Sequence, residues 1–209
     1  MKRLIASLAL VLTVVFAAGN AHAWSSQGAD ALSGNANAFE AGVGFPGMKF
    51  GYHIPVSKLV TIIPEFTFFY GVGTAVPSVG DGLGVKLKFH LLDKGKLNLA
   101  FIAEPMFLLN YHPGVAVGIQ IGLPQVVVSY AVNNQFTLFG GLKIPFAFLV
   151  HPSFCAIIPI YFNLGVEMSV TPALNLFLAM DMGPSITAAS GGSVTTFAPW
   201  VQFGMAYKF

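Results

Sequence analysis

The sequence predicts an all-β fold, a closed antiparallel transmembrane β-barrel of about ten strands, with eight as the alternative count. Three observations lead there. Charged residues make up 9% of the 209 residues and hydrophobic ones 55%, whereas an ordinary soluble domain carries roughly 25% charge. No apolar run reaches the ~20 breaker-free residues of a membrane helix; the best stretch, Ile144 to Ile160, contains Pro145, Pro152, Pro159 and His151. Apolar residues instead recur at every second position, the period of a strand. If hydrocarbon is the solvent and helices are excluded, only a closed barrel satisfies every backbone N–H and C=O.

Ten segments carry the alternation. Ala36 to Phe45 and Met48 to Val56 meet at Pro46-Gly47, a two-residue turn signal, and the apolar phase flips across it as a tight hairpin requires. If that turn were a bulge within one strand and another segment failed, eight strands would remain. Leu59 to Tyr70 sets Val60, Ile62, Phe66 and Phe68 against Thr61, Glu65 and Thr67. Gly82 to Leu92 and Leu97 to Phe107 flank the turn Asp93 to Lys96 and are the clearest pair. Gly114 to Tyr130 changes phase near Leu123-Pro124-Gln125, where a bulge is expected. Phe136 to Leu149, Ala156 to Val170, Leu174 to Gly183 and Thr196 to Phe209 complete the set. The glycine-rich stretch Pro184 to Thr195 reads as a loop, as do Gly71 to Asp81, Leu108 to Pro113 and Val150 to Phe154. Connections at the end holding both termini are short, and those at the other end are longer on average, the sidedness expected of such barrels.

On these registers the outward positions carry no charge. Glu40, Lys49, Glu65, Lys86, Lys88, Glu104, Lys143, Glu167, Asp181 and Lys208 all face inward. A lysine on the lipid face would cost ~2 to 4 kcal/mol near the bilayer midplane, which clears that face. Five acids and five lysines balance, and in a barrel little wider than the eight-stranded kind they should pair. Lys86 and Lys88 are expected to meet Glu104 or Glu65.

The chain opens with Lys2 and Arg3, an apolar run from Leu4 to Ala18, and Ala21-His22-Ala23. This predicts a secretory signal peptide over 1–23, cleaved before Trp24, since the run is short for a membrane anchor. Ten basic residues less Lys2 and Arg3 leave eight, against eight acidic residues. That neutral remainder offers no field for nucleic acid. Residues 24–35 read as a flexible periplasmic segment, and 36–209 as the barrel. Cys155 is alone, so no internal disulfide is expected.

The last residues, "VQFGMAYKF", put Val201, Phe203, Met205, Tyr207 and Phe209 on one face. An alternating strand closing on a C-terminal phenylalanine resembles the terminal strand of small bacterial outer-membrane β-barrel proteins. That resemblance implies a Gram-negative outer-membrane location and surroundings of outer-membrane lipid and lipopolysaccharide. It also implies recognition by the barrel-assembly machinery, with Phe203, Tyr207 and Phe209 as the insertion signal. It selects no subfamily and leaves the oligomeric state open.

Function is less legible. The leading expectation is a structural or envelope-interaction barrel with a closed, charge-paired interior. A narrow porin-like channel or a transporter for small or hydrophobic solutes is the alternative. A lipid-modifying enzyme comes last: Ser153 lies two residues from His151, with His112 and Asp81 on other loops, but triad chemistry needs a base oriented by a third group and no motif supplies one. No catalytic residue, metal or cofactor is assigned. His53 and His90 point inward without ligand spacing, and read as hydrogen-bonded core histidines. The prolines recurring inside segments should sit at bulges or near a rim, because each removes a ladder hydrogen bond.

Overall fold

A computed structural model describes residues 24–32, 36–70, 79–197 and 199–209. The expected signal peptide, 1–23, lies outside the described residues. Sixteen strands run in chain order: β1 (Ala38–Phe45), β2 (Gly47–Pro55), β3 (Val60–Phe69), β4 (Val79–Lys94), β5 (Leu97–Ala103), β6 (Met106–His112), β7 (Ala116–Gln120), β8 (Gln125–Ala131), β9 (Phe136–Lys143), β10 (Ala147–His151), β11 (Cys155–Pro159), β12 (Tyr161–Ser169), β13 (Leu174–Met182), β14 (Pro184–Ala189), β15 (Gly192–Phe197) and β16 (Trp200–Lys208). All pairings are antiparallel.

These sixteen build ten wall strands, because six wall strands are each interrupted once. β5 continues into β6, β7 into β8, β9 into β10, β11 into β12, β13 into β14 and β15 into β16. One half of the wall is a closed ring of β1, β2, β3, β4, β5, β8, β9, β12, β13 and β16, sealed where β1 pairs with β16 and β4 with β5. Partners traced once round the wall from Gly204 pass Gly42, Lys49, Thr67, Gly82, Leu108, Gly118, Leu149, Cys155 and Ala189. They return to the starting strand at Gly192, a shift of 12 residues (204 to 192). Closure with such a stagger tilts the strands by about 40° and fixes which side chains share a level.

The six interruptions form a proline belt at mid-height. Pro105, Pro124, Pro145, Pro159, Pro184 and Pro199 each lie in a break or beside one. A proline has no N–H for the ladder, so a closed wall must bulge there. Hydrogen bonds carry the wall across the belt: Val85 N to Pro105 O at 3.0 Å, Glu104 N to Gly122 O at 3.1 Å, Ile144 N to Pro124 O at 2.9 Å and Ile160 N to Pro184 O at 2.8 Å. Gly122 sits at φ 66°, and a Cβ there would collide with the Glu104 carbonyl, so this bulge requires glycine.

Beyond the belt, β4, β6, β7, β10, β11, β14 and β15 extend the wall toward the end opposite the termini. Two expectations are corrected here. Pro184 to Thr195 is not a loop but the hairpin of β14 and β15, turning at Ser190-Gly191. Leu108 to His112 and Val79 to Asp81 likewise continue strands that the sequence reading ended early, their paired ladders outweighing weak alternation. Residues 71–78 of the expected loop lie outside the described residues.

The outer face is apolar on alternate positions. Val201, Phe203, Met205 and Tyr207 on β16 are exposed while Gln202, Gly204 and Ala206 are buried. Leu83, Phe162 and Leu178 are exposed in the same way elsewhere. Tyr207 stacks against Phe209, and Phe209 lies 6.0 Å from Tyr52, so aromatic rings gather at the end where the termini meet. Phe209 N is tied to Asn37 O at 3.0 Å, pinning the tail into the ring.

Candidate functional site: a stopped lumen and one open cavity

The end of the lumen near the termini is filled by the chain's own N-terminal segment. Trp24, Ser25, Ser26, Ala29 and Leu32, from the stretch 24–35 expected to be a flexible periplasmic segment, are buried there, while 33–35 lie outside the described residues. The lumen wall supplies partners that a short polar stretch cannot find locally. One oxygen of Glu167 accepts from Ser26 N at 2.9 Å, Ser26 Oγ at 2.6 Å and Gln27 N at 2.7 Å. Lys88 Nζ donates to the carbonyls of Ser25 and Asp30, each at 3.2 Å. His90 Nδ1 lies 2.8 Å from Ala29 O. Asn98 and Ser129 donate to the Asp30 carboxylate, and Asn175 donates to Trp24 O at 2.5 Å. Lys208 Nζ sits 5.9 Å above the Trp24 ring, a cation–π contact at the rim. The segment turns tightly, with Gly28 N donating to Ser25 Oγ at 2.5 Å, and a Cβ on Gly28 would press on Ser25 and Ser129.

The ten charged residues named from the sequence divide into two groups by the partners they meet. Lys88, Glu167 and Lys208 hold the plug. Lys86, not Lys88, pairs with Glu65, at 2.9 Å. Lys49 bridges Glu40 at 3.3 Å and Glu65 at 3.9 Å. Glu40 also takes His53 Nε2 at 2.8 Å and Gln27 Nε2 at 2.5 Å, which couples plug to network. Glu104 accepts from Gln125 at 2.8 Å, and Lys143 pairs with Asp181 at 2.8 Å. Each charge meets a partner because a buried ion left alone costs several kcal/mol.

Above this network lies a cavity of about 260 Å³. Its floor is the polar layer at the proline belt, with Lys49, Glu65, Lys86, Glu104, Lys143 and Asp181. Its upper wall is largely apolar, with Phe69, Met106, Leu108, Leu149, Ile157 and Trp200. The extended strands β6, β10 and β11 supply most of that collar. The cavity is at the small end of the ~300 to 1,000 Å³ usual for small-molecule sites and shares their pattern of apolar lining with a few convergent polar groups.

The other candidates do not assemble. His53 is held by Glu40, and His90 by Ala29 O and Thr61 Oγ1 at 3.1 Å. Among the described residues no group of three or more His, Cys, Asp or Glu is placed to hold a metal. Ser153, His151 and His112 are exposed, no hydrogen bond joins them among the described residues, and Asp81 accepts from Tyr111 instead. Phe203, Tyr207 and Phe209 lie on the outer face.

The fold and this lumen define a plugged ten-stranded antiparallel β-barrel with an apolar exterior. No family model and no curated protein matches the sequence. Among solved structures, the outer membrane protease OmpT from Escherichia coli is 12% identical, covering 87% of this chain and 100% of its own, with a TM-score of 0.49. OmpT, an outer membrane protein of Vibrio cholerae, is 14% identical over 94% of this chain and 73% of its own, at 0.40. Ail, the attachment invasion locus protein of Yersinia pestis, is 9% identical over 83% and 94%, at 0.28. The first two are outer-membrane proteins by name. The architecture of the present chain follows from its own strand register.

Proposed function

We propose that the protein is an integral outer-membrane barrel that takes small amphiphilic solutes into a cavity open at one end, with residues 24–32 stopping the other end. The plug carries this reading. A purely structural post gains nothing from a cavity with an apolar collar, and an unregulated pore would not be stopped by its own chain. The membrane setting is supported by the alternate apolar positions: Leu83, Phe162 and Phe203, at 65%, 59% and 56% exposure, would be costly in water and are at home in hydrocarbon. The sequence of residues 1–23 supports export with cleavage before Trp24. The aromatic tail at Phe203, Tyr207 and Phe209 supports recognition by an assembly machinery, and the proposal gives the protein no catalytic role.

Planar-bilayer recording tests the plug. The full chain is expected to show no conductance steps, and a variant lacking residues 24–32 but still folded should show them, because the closed ring then encloses water. Steps in the full chain, or silence in a folded truncated barrel, would contradict the proposal. Cavity binding is read by quenching of Trp200 with 8-bromo-1-octanol in refolded protein, using a Trp24→Phe background in which Trp200 is the sole tryptophan; the expected result is saturable quenching.

A further inference from the structure

The wall is not equally high all round. β15 pairs with β14 along one edge, and among the described residues its other edge has no partner. The neighbour that would cover it, β1, stops at Phe45, which pairs with Val201 of β16. Beyond that level the wall drops to the two-strand turn at Pro46, while the six residues of β15 carry on, about 20 Å of free strand edge at ~3.3 Å per residue. A free edge is a liability that barrels ordinarily remove by closure. Here it borders a notch.

Two aromatic rings close the notch from inside. Phe69, at the end of β3, and Trp200, at the start of β16, both line the cavity, and their rings meet edge to face at 5.6 Å with an interplanar angle of 86°. The contact spans the low β1–β2 hairpin. Phe69 pairs with Gly47, while Trp200 precedes the residue paired with Phe45. The backbone beneath is sealed by Tyr70, whose N–H donates to Pro46 O at 3.0 Å and whose hydroxyl donates to Gly44 O. No backbone ladder crosses the notch among the described residues, so displacing one ring opens it without breaking the sheet. Outside, Phe197 of β15 is 67% exposed, continuing the apolar surface to the notch.

We infer that the Phe69–Trp200 contact is a side gate through which a single-chain amphiphile passes between the surrounding apolar leaflet and the cavity. This inference rests on the cavity reading given above. The cavity's chemistry names the occupant. A volume of about 260 Å³ holds roughly nine waters at ~30 Å³ each, the bulk of a medium-length alkyl chain. The floor has three lysines and three acids, with Lys86 and Lys49 on Glu65 and Lys143 on Asp181. Three lysines and three acids make the layer formally neutral, so a charged head would add an uncompensated charge to a buried site, whereas a neutral hydrogen-bonding head, such as an alcohol, would not.

The test follows loading of the Trp24→Phe protein in lipid vesicles that carry 8-bromo-1-octanol, read as quenching of Trp200. Phe69→Ala should speed loading about tenfold, and Phe69→Leu, which keeps more bulk, should fall between it and the parent. Leu149→Ala enlarges the same cavity away from the notch and should change the rate less than twofold. Heat-modifiable gel migration verifies that each variant is folded. Equal acceleration by the Phe69 and Leu149 variants, or none by either Phe69 variant, overturns the side gate while leaving the cavity intact. Saturable quenching that is absent in the parent overturns the cavity reading, and the gate with it. At equilibrium 8-bromo-octanoate and 8-bromo-octylamine should bind at least tenfold more weakly than the alcohol; equal binding would overturn the neutral-head assignment.

Discussion

Replacing Glu167 with alanine should release the plug without opening the barrel. A single oxygen of this buried carboxylate accepts three hydrogen bonds from Ser26 and Gln27, at 2.9, 2.6 and 2.7 Å. Hydrogen bonds to a charged group contribute ~1.5 to 3 kcal/mol each, which sets a ceiling of about 5 to 9 kcal/mol for the trio. Water reaching the vacated space returns part of that, and the three bonds share one acceptor, so a net loss of about 4 kcal/mol is the working figure. At 1.4 kcal/mol per decade, the equilibrium for plug opening rises nearly a thousandfold. Glu167→Gln keeps an acceptor but loses the charge, and should cost ~1 to 2 kcal/mol, or about five- to thirtyfold. Hydrogen exchange with mass spectrometry on the peptide covering residues 24–32 reads both. The plug amides should speed up by those factors while the β-strands stay protected. Exchange in Glu167→Ala within about threefold of the parent, in a barrel that keeps its gel shift, would refute the idea that Glu167 anchors the plug.

Two further outcomes bear on the wall and its network. Lys86→Met leaves Glu65, whose side chain is 1% exposed, with the longer contact to Lys49 as its ion pair among the described residues; a loss of ~3 to 5 kcal/mol is expected in urea unfolding from vesicles, largely recovered in Lys86→Met/Glu65→Leu, where both charges go together. Leu83→Arg sets a charge on the outer face and should cost ~2 to 4 kcal/mol if that position lies near the bilayer midplane, with no matching loss when the protein is held in a charged detergent.

Much of the wall was legible because lipid makes alternation a strict code. On β16 the even positions are buried and the odd ones exposed without exception from Val201 to Tyr207, and Pro46-Gly47 marked the phase flip at which β1 turns into β2. The code fails where neither face contrasts. In "PSITAASGGSVTTF" small and hydroxylated residues lie on both sides, so the β14–β15 hairpin looked like a loop. The plug was hidden for a different reason: Trp24 to Leu32 is ordered by Glu167, Lys88, Ser129 and Asn175, partners distant in sequence. A trace of it exists in the inward polar residues Asn98, Ser129 and Asn175, each of which bonds to the plug. The cavity depends on the 12-residue stagger, a property of closure that no local stretch of sequence carries. The choice of Lys86 over Lys88 for Glu65 follows from the β3–β4 register, in which Glu65 pairs with Gly84, two residues from Lys86 and four from Lys88.

The most direct test of the central claim, that alternate side chains of a closed sheet face hydrocarbon while the others face an enclosed lumen, is a nitroxide scan of β16 in vesicles. Single cysteines are placed in turn from Val201 to Lys208 in a Cys155→Ser background, labelled, and probed with oxygen and with a water-soluble nickel chelate. The account predicts that positions 201, 203, 205 and 207 favour oxygen and that 202, 204 and 206 do not, a period of two along the whole strand. Equal access of the chelate to both sets of positions would contradict it.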